Sequence, residues 1–242
     1  MNISQLILSA MAALVALTIH EFAHGFVAYK LGDDTAKAYG RLTLNPIKHM
    51  DPLGALCMVL FHFGWAKPVP IDPRNFKNPR KGFALTALAG PATNLVIGFI
   101  TSFFYLLCLT TFKASSSAFL TNIQINTLLF LLYFFSINIG LGIFNLIPVP
   151  PFDGSRILNV ILPERLYFKV MRYERQIYWG VIAWLFLGQY VYYAFMSIPF
   201  IAHTPALSGI VKIFSLSDIL RDAINAIANG MMGFWRLLPM FR

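Results

Sequence analysis

Residues 3–31 read ISQLILSAMAALVALTIHEFAHGFVAYKL, an apolar run with no Lys or Arg before Lys30 that nevertheless carries His20, Glu21 and His24. A helix needs about 20 apolar residues to cross a bilayer, so this stretch is read as a membrane span, with Gly32 suited to its C-terminal cap. Two histidines and a carboxylate are costly in such a place unless they have a task. Further apolar stretches follow at 83–112, 123–147 and 177–201. The short polar connection Lys113–Asn122, with one charge, separates the second from the third.

Composition agrees with a membrane protein. The 242 residues are 57% hydrophobic and 12% charged, against about 25% charged in soluble domains. Mean hydropathy is +0.65. The net charge of +9 raises the question of nucleic acid, but its placement argues against such a partner. Nine of the 19 Lys and Arg lie between Lys30 and Lys81, and five more between Arg156 and Arg175. Both clusters connect apolar segments, which is the positive-inside pattern and assigns both connections to the cytoplasm. Lys113–Asn122 then faces outside, and the partner of the apolar surface is the lipid bilayer. Cys57 and Cys108 fall in apolar stretches and read as small core residues without a disulfide. The N-terminus lacks a basic n-region and runs on into the His/Glu/His cluster, so it does not read as a cleaved signal peptide.

Two regions resist a simple span. Pro52–Trp65 is apolar but short, and Pro52, Gly54 and Gly64 interrupt it. It suits a hairpin or re-entrant segment, tolerated at membrane depth only when buried in protein or lining a wet cavity. Leu207–Leu238 mixes Lys212, Asp218, Arg221, Asp222 and Arg236 with apolar residues. It reads as an amphipathic helix on the membrane surface or an additional span. The expected fold is an all-α polytopic membrane protein with four to six transmembrane helices and a membrane-embedded β-hairpin or re-entrant segment. A core at 1–205 precedes the amphipathic segment 206–242.

On a helix His20 and His24 face the same way, one turn apart. That spacing lets two imidazoles hold one zinc ion, and Glu21 can take a proton from a zinc-bound water. A hydrolytic zinc site needs a third protein ligand and an open position. The chain offers seven Asp and three Glu. Asp33 and Asp34 read as a solvated turn, Glu164 and Glu174 as partners of the surrounding basic residues, Asp72 as a turn, and Asp218 and Asp222 as part of the tail. Asp51 and Asp153 remain. Asp51 precedes Pro52 and suits a helix start. Asp153 follows Pro148, Pro150 and Pro151, which stop the third span and stiffen the chain, while Gly154 permits a tight turn. Counting spans puts Asp153 on the same side as His24, which favours it as the third ligand.

Three motifs resemble the site-2 protease family of intramembrane zinc metalloproteases: His20-Glu21-Phe22-Ala23-His24, Asn145-x-x-Pro148-x-x-x-x-Asp153-Gly154, and Gly90-Pro91-Ala92-Thr93-Asn94. Gly64-Trp65-Ala66-Lys67-Pro68-Val69-Pro70 resembles a compact bacterial subgroup that lacks extra soluble domains. The resemblance implies that His20, His24 and Asp153 bind one Zn2+ per chain and that Glu21 is the catalytic base. It implies that Asn145 lies near the scissile bond as a polarising donor, and that Asn94 lies beside the site, on the substrate side. Bland alternatives are an Asn145 amide that satisfies helix-end carbonyls and an Asn94 that bonds between helices. The implied activity is zinc-dependent hydrolysis of peptide bonds in or near transmembrane segments, in a bacterial inner membrane, with the active site near the cytoplasmic side. The rivals are a membrane-anchored peptidase that clears soluble or signal-peptide remnants, and a metal transporter.

Overall fold

The computed structural model describes residues 2–54, 57, 66–113 and 116–241. It is mostly helical, and three helices are long and apolar enough to cross a membrane: α1 (Ile3–Lys30), α2 (Pro79–Thr111) and α3 (Ala118–Asn145). Local chemistry sets their ends. Asn2 caps α1, accepting from the Gln5 amide while Gln5 returns a bond to the Asn2 amide. Pro79 opens α2 at its first position, where a missing N–H costs nothing, behind the cap Asn78. Gly32, at φ +106°, ends the turn after α1 in a conformation that L side chains rarely adopt.

Small residues let the three helices approach closely. Ala12, Ala16 and Ala28 of α1 are fully buried. A methyl on Gly98 of α2 would fall 2.5 Å from Ile139 of α3. Such contacts drive helix association where no water is present to be expelled. The outward faces stay apolar: Val96 is 58% exposed, and Phe104 and Ile123 are similarly bare. An apolar surface of this extent needs lipid to cover it.

After α3 come α4 (Asp153–Ile161), α5 (Glu164–Arg172), α6 (Glu174–Met196) and α7 (Leu216–Trp235). The two halves of α6 bend by 49° between Leu185 and Leu187 and make a fourth candidate span if taken together. Glu174 pairs with Arg156 at 2.7 Å, as its basic surroundings lead one to expect. α7 packs on α2 and α3. Trp235 Nε1 donates to Ser102 Oγ at 2.9 Å, and its ring lies 4.4 Å from that of Phe99.

The expected hairpin lies largely outside the described residues. Of its flanks, Met50 and Ala66 form an antiparallel bridge, and the Lys67 amide donates to the His49 carbonyl at 2.8 Å. Residues 52–54 are helical, and Asp51 caps them by accepting from the Leu53 and Gly54 amides. Asp33 overturns its reading as part of a solvated turn. It is fully buried and accepts from the Asp72 amide at 2.8 Å, from Asn75 Nδ2 at 2.8 Å and from Thr35. Its carboxylate ties the end of α1 to the segment that leads into α2.

Candidate metal centre

His20 and His24 sit one turn apart on the inner face of α1, buried, with rings nearly perpendicular and centroids 4.6 Å apart. Their Nε2 atoms are 3.0 Å from each other. Asp153 Oδ2, at the first turn of α4, lies 3.1 Å from His20 Nε2 and 3.2 Å from His24 Nε2. Among the described residues this is the one cluster of three or more His, Cys, Asp or Glu that could hold a metal ion. Four ligands at zinc's usual 2.0–2.1 Å would stand about 3.3 Å apart along each tetrahedral edge. The triangle of two nitrogens and one oxygen is close to one face of that tetrahedron.

Hydrogen bonds fix the direction of both imidazoles. His24 Nδ1 donates to the Thr86 carbonyl at 2.7 Å, and a carbonyl can only accept. His20 Nδ1 donates to Asn94 Oδ1 at 2.5 Å. With both protons on Nδ1, both Nε2 lone pairs and the Asp153 carboxylate point at one spot. They repel unless a cation lies between them, so the donor set fits zinc. The same outer partners are what orient metal-binding histidines generally.

Three features aim these groups. Gly90 faces the two rings, and a Cβ there would fall 2.4 Å from His24 Nε2 and 2.6 Å from His20 Cε1. Pro91, inside α2, offers no N–H to the Ala87 carbonyl, next to the Thr86 carbonyl that holds His24. Phe152, 7% exposed, packs edge-on to Phe144 at 4.3 Å and anchors the chain just before Asp153. Gly154 has a role other than the turn first assigned to it. Its φ is not positive; instead a Cβ would fall 2.4 Å from the Leu146 carbonyl oxygen. Close approach of α4 to the end of α3 is what demands glycine there.

Glu21 is half-buried beside His20, and its Oε2 accepts from the Val69 amide at 2.8 Å. Val69 lies between Pro68 and Pro70, neither of which has an N–H. Its own amide is the single donor of that tripeptide, and it goes to Glu21. Asn145 Nδ2 donates to the Leu141 carbonyl of its own helix at 3.0 Å, the geometry of the bland alternative. Asn94 is fully buried. Besides His20 it engages Asn138 Oδ1 at 2.7 Å and the Ala16 carbonyl at 3.4 Å. Those bonds tie its amide to His20, to Asn138 and to the backbone of α1.

Sequence reasoning missed Thr86 and Asn138, and took Gly90 and Val69 only as members of motifs. Asn138 had a legible signal: an amide deep in an apolar span, two turns before Asn145 and on its face. Thr86 and Val69 act through main-chain atoms, which leave no mark on residue type.

The peptidase family M50 model matches residues 8–188. The candidate zinc metalloprotease YwhC of Bacillus subtilis is 39% identical over 211 residues, 84% of this chain and 88% of that protein. The candidate zinc metalloprotease Rip2 of Mycolicibacterium smegmatis is 31% identical over 58% of this chain and 52% of its own length. Zinc metalloprotease MJ0392 of Methanocaldococcus jannaschii is 30% identical over 62% of this chain and 33% of its own length. No solved structure matches the chain. With a family match across most of its length and a cluster of two histidines and an aspartate between its apolar helices, the chain belongs to peptidase family M50, the site-2 protease family.

Proposed function

We infer that this protein is a zinc-dependent endopeptidase that hydrolyses peptide bonds within or near transmembrane segments, with His20, His24 and Asp153 as ligands of one zinc ion and Glu21 as general base. The observation that carries the reading is the triangle of Nε2, Nε2 and Oδ2 with sides of 3.0, 3.1 and 3.2 Å, placed inside an apolar helix bundle. At 1.5 Å per residue, His24 and His20 lie about 9 and 15 Å along α1 from Lys30. That depth is well within the roughly 30 Å hydrocarbon core. The Lys and Arg clusters on either side of α2 and α3 support a cytoplasmic opening, and the likeness to bacterial relatives such as YwhC supports a bacterial inner membrane.

A bound zinc ion supplies Lewis acidity toward water and the substrate carbonyl. The chain's own residues do the rest. Glu21 takes a proton from the attacking water and returns it to the departing amine, as a general base and then acid. Its Oε2 is held by the Val69 amide, which leaves Oε1 for the proton. Asn94 and Thr86 keep His20 and His24 protonated on Nδ1. Asn145 lies at the end of α3, one proline-rich turn before Asp153. Its Nδ2 gives one hydrogen to the Leu141 carbonyl and keeps a second for a polarising contact to substrate.

Glu21→Gln should keep wild-type zinc and lose about 10²–10⁴-fold in rate, whereas Asp153→Ala should lose most of the metal. Both are read by metal analysis of purified protein and by cleavage of a single-span substrate. Full zinc in Asp153→Ala would remove Asp153 from the ligand set.

A further inference from the structure

We propose that Asn138, on α3, is a positioning residue for the metal centre, setting the proton on His20 through Asn94. The proposal rests on the zinc reading above. His24 has a main-chain carbonyl against its Nδ1, so its tautomer needs nothing further. His20 faces a side-chain amide, Asn94, which could present either oxygen or nitrogen. Something must decide which.

The decision comes from α3. Asn138 Nδ2 donates to the Phe134 carbonyl at 2.8 Å. A carbonyl accepts only, so the other end of that amide, Oδ1, is turned toward Asn94. Asn94 must answer with Nδ2, at 2.7 Å. The Ala16 carbonyl at 3.4 Å calls for the same orientation. Asn94 Oδ1 is thereby left for His20, which donates from Nδ1 and offers the Nε2 lone pair to the metal. If Asn94 turned over, its amide would donate to Nδ1, the proton would move to Nε2, and His20 would cease to be a ligand.

Burial makes this arrangement strict. Asn94 and Asn138 are both fully buried and His20 is 4% exposed, so no water can substitute for a lost partner. The relay crosses all three core helices at the level of the metal. Phe134 and Ala16 anchor it at opposite sides, each through a main-chain atom that substitution cannot remove. Asn138 therefore does more than join α2 to α3: its acceptor oxygen carries the direction.

The test is zinc affinity, measured by chelator competition on the purified full chain, with folding checked by thermal unfolding of the metal-free protein. Asn138→Leu should weaken zinc binding about 10–100-fold, the cost usual for an outer-shell partner. Asn138→Ala, carried alongside in case leucine prevents folding, should do the same. Asn138→Asp, which keeps an oxygen facing Asn94, should recover most of the affinity. In an Asn94→Ala background, Asn138→Leu should cost little more, because the relay is already cut. Wild-type affinity in the leucine and alanine variants, or losses that multiply in the double variant, would overturn the proposal. Failure of the wild type itself to bind zinc would instead overturn the metal reading.

Discussion

A methyl group on Gly90 would sit 2.4 Å from a nitrogen that faces the metal position. The rings cannot move aside without leaving Thr86 and Asn94, so Gly90→Ala should leave the purified protein with less than about a tenth of wild-type zinc. A variant with full zinc would show that the rings have room to shift. Val69 carries the corresponding argument for the base. Val69→Pro removes the one amide that holds Glu21 Oε2, while Val69→Ala keeps it. The proline variant should lose about tenfold to a hundredfold in kcat with zinc retained, and the alanine variant far less. Equal rates in the two would detach the Val69 amide from catalysis. The cluster of His20, His24 and Asp153 was legible because helical spacing fixes His20 against His24, and the Pro-rich exit from α3 singles out Asp153. The supports were hidden because Gly90 and Val69 act through distances between segments far apart in the chain.

At the scale of elements, the end of α1 is held by chemistry that residue type alone misrepresents. Asp33 follows a glycine and precedes Asp34, which reads as a wet turn, yet the fold encloses it with donors from Thr35, Asp72 and Asn75. Burial alone would push its carboxyl up, but these hydrogen bonds outweigh it and hold Asp33 below the usual carboxylate range. A group whose folded pKa is depressed adds stability above its unfolded pKa of about 3.9 and loses it as pH falls through the folded value. Asp33→Asn should therefore destabilise the protein at pH 7 by about 1.5–3 kcal/mol, the usual worth of hydrogen bonds to a charged group. The deficit should begin to shrink below about pH 4, where the unfolded chain's carboxylate takes up its proton, and fade as pH falls through the lower folded value. Thermal unfolding at the two pH values checks this; a deficit that persists unchanged in acid would refute the role of the charge. The three long helices were readable because each is one long apolar run, and Gly32 and Pro148 mark where the first and third stop. The docking of α7 was not, since it depends on tertiary contacts such as Trp235 with Ser102 and Phe99.

For the whole molecule, the account places a hydrolytic centre inside the bilayer, with charge asymmetry setting its orientation and an apolar bundle excluding bulk water from all but one side. A substrate helix hides each carbonyl behind the amide four residues on, so it must unwind to be cut, and backbone groups freed in lipid cost several kcal/mol each. The segment that runs from Tyr39 to Pro70 ends in the strand-like Ala66–Val69 piece, which touches both His49 and Glu21. The measurement that tests the central claim most directly is cleavage of a single-span substrate co-reconstituted with the protein in liposomes, with cut sites mapped by mass spectrometry before and after zinc removal. The account predicts cuts inside the apolar span that stop on chelation, return with zinc and never occur with Glu21→Gln. Cleavage that survives metal removal, or that falls only in the soluble flanks, would contradict it.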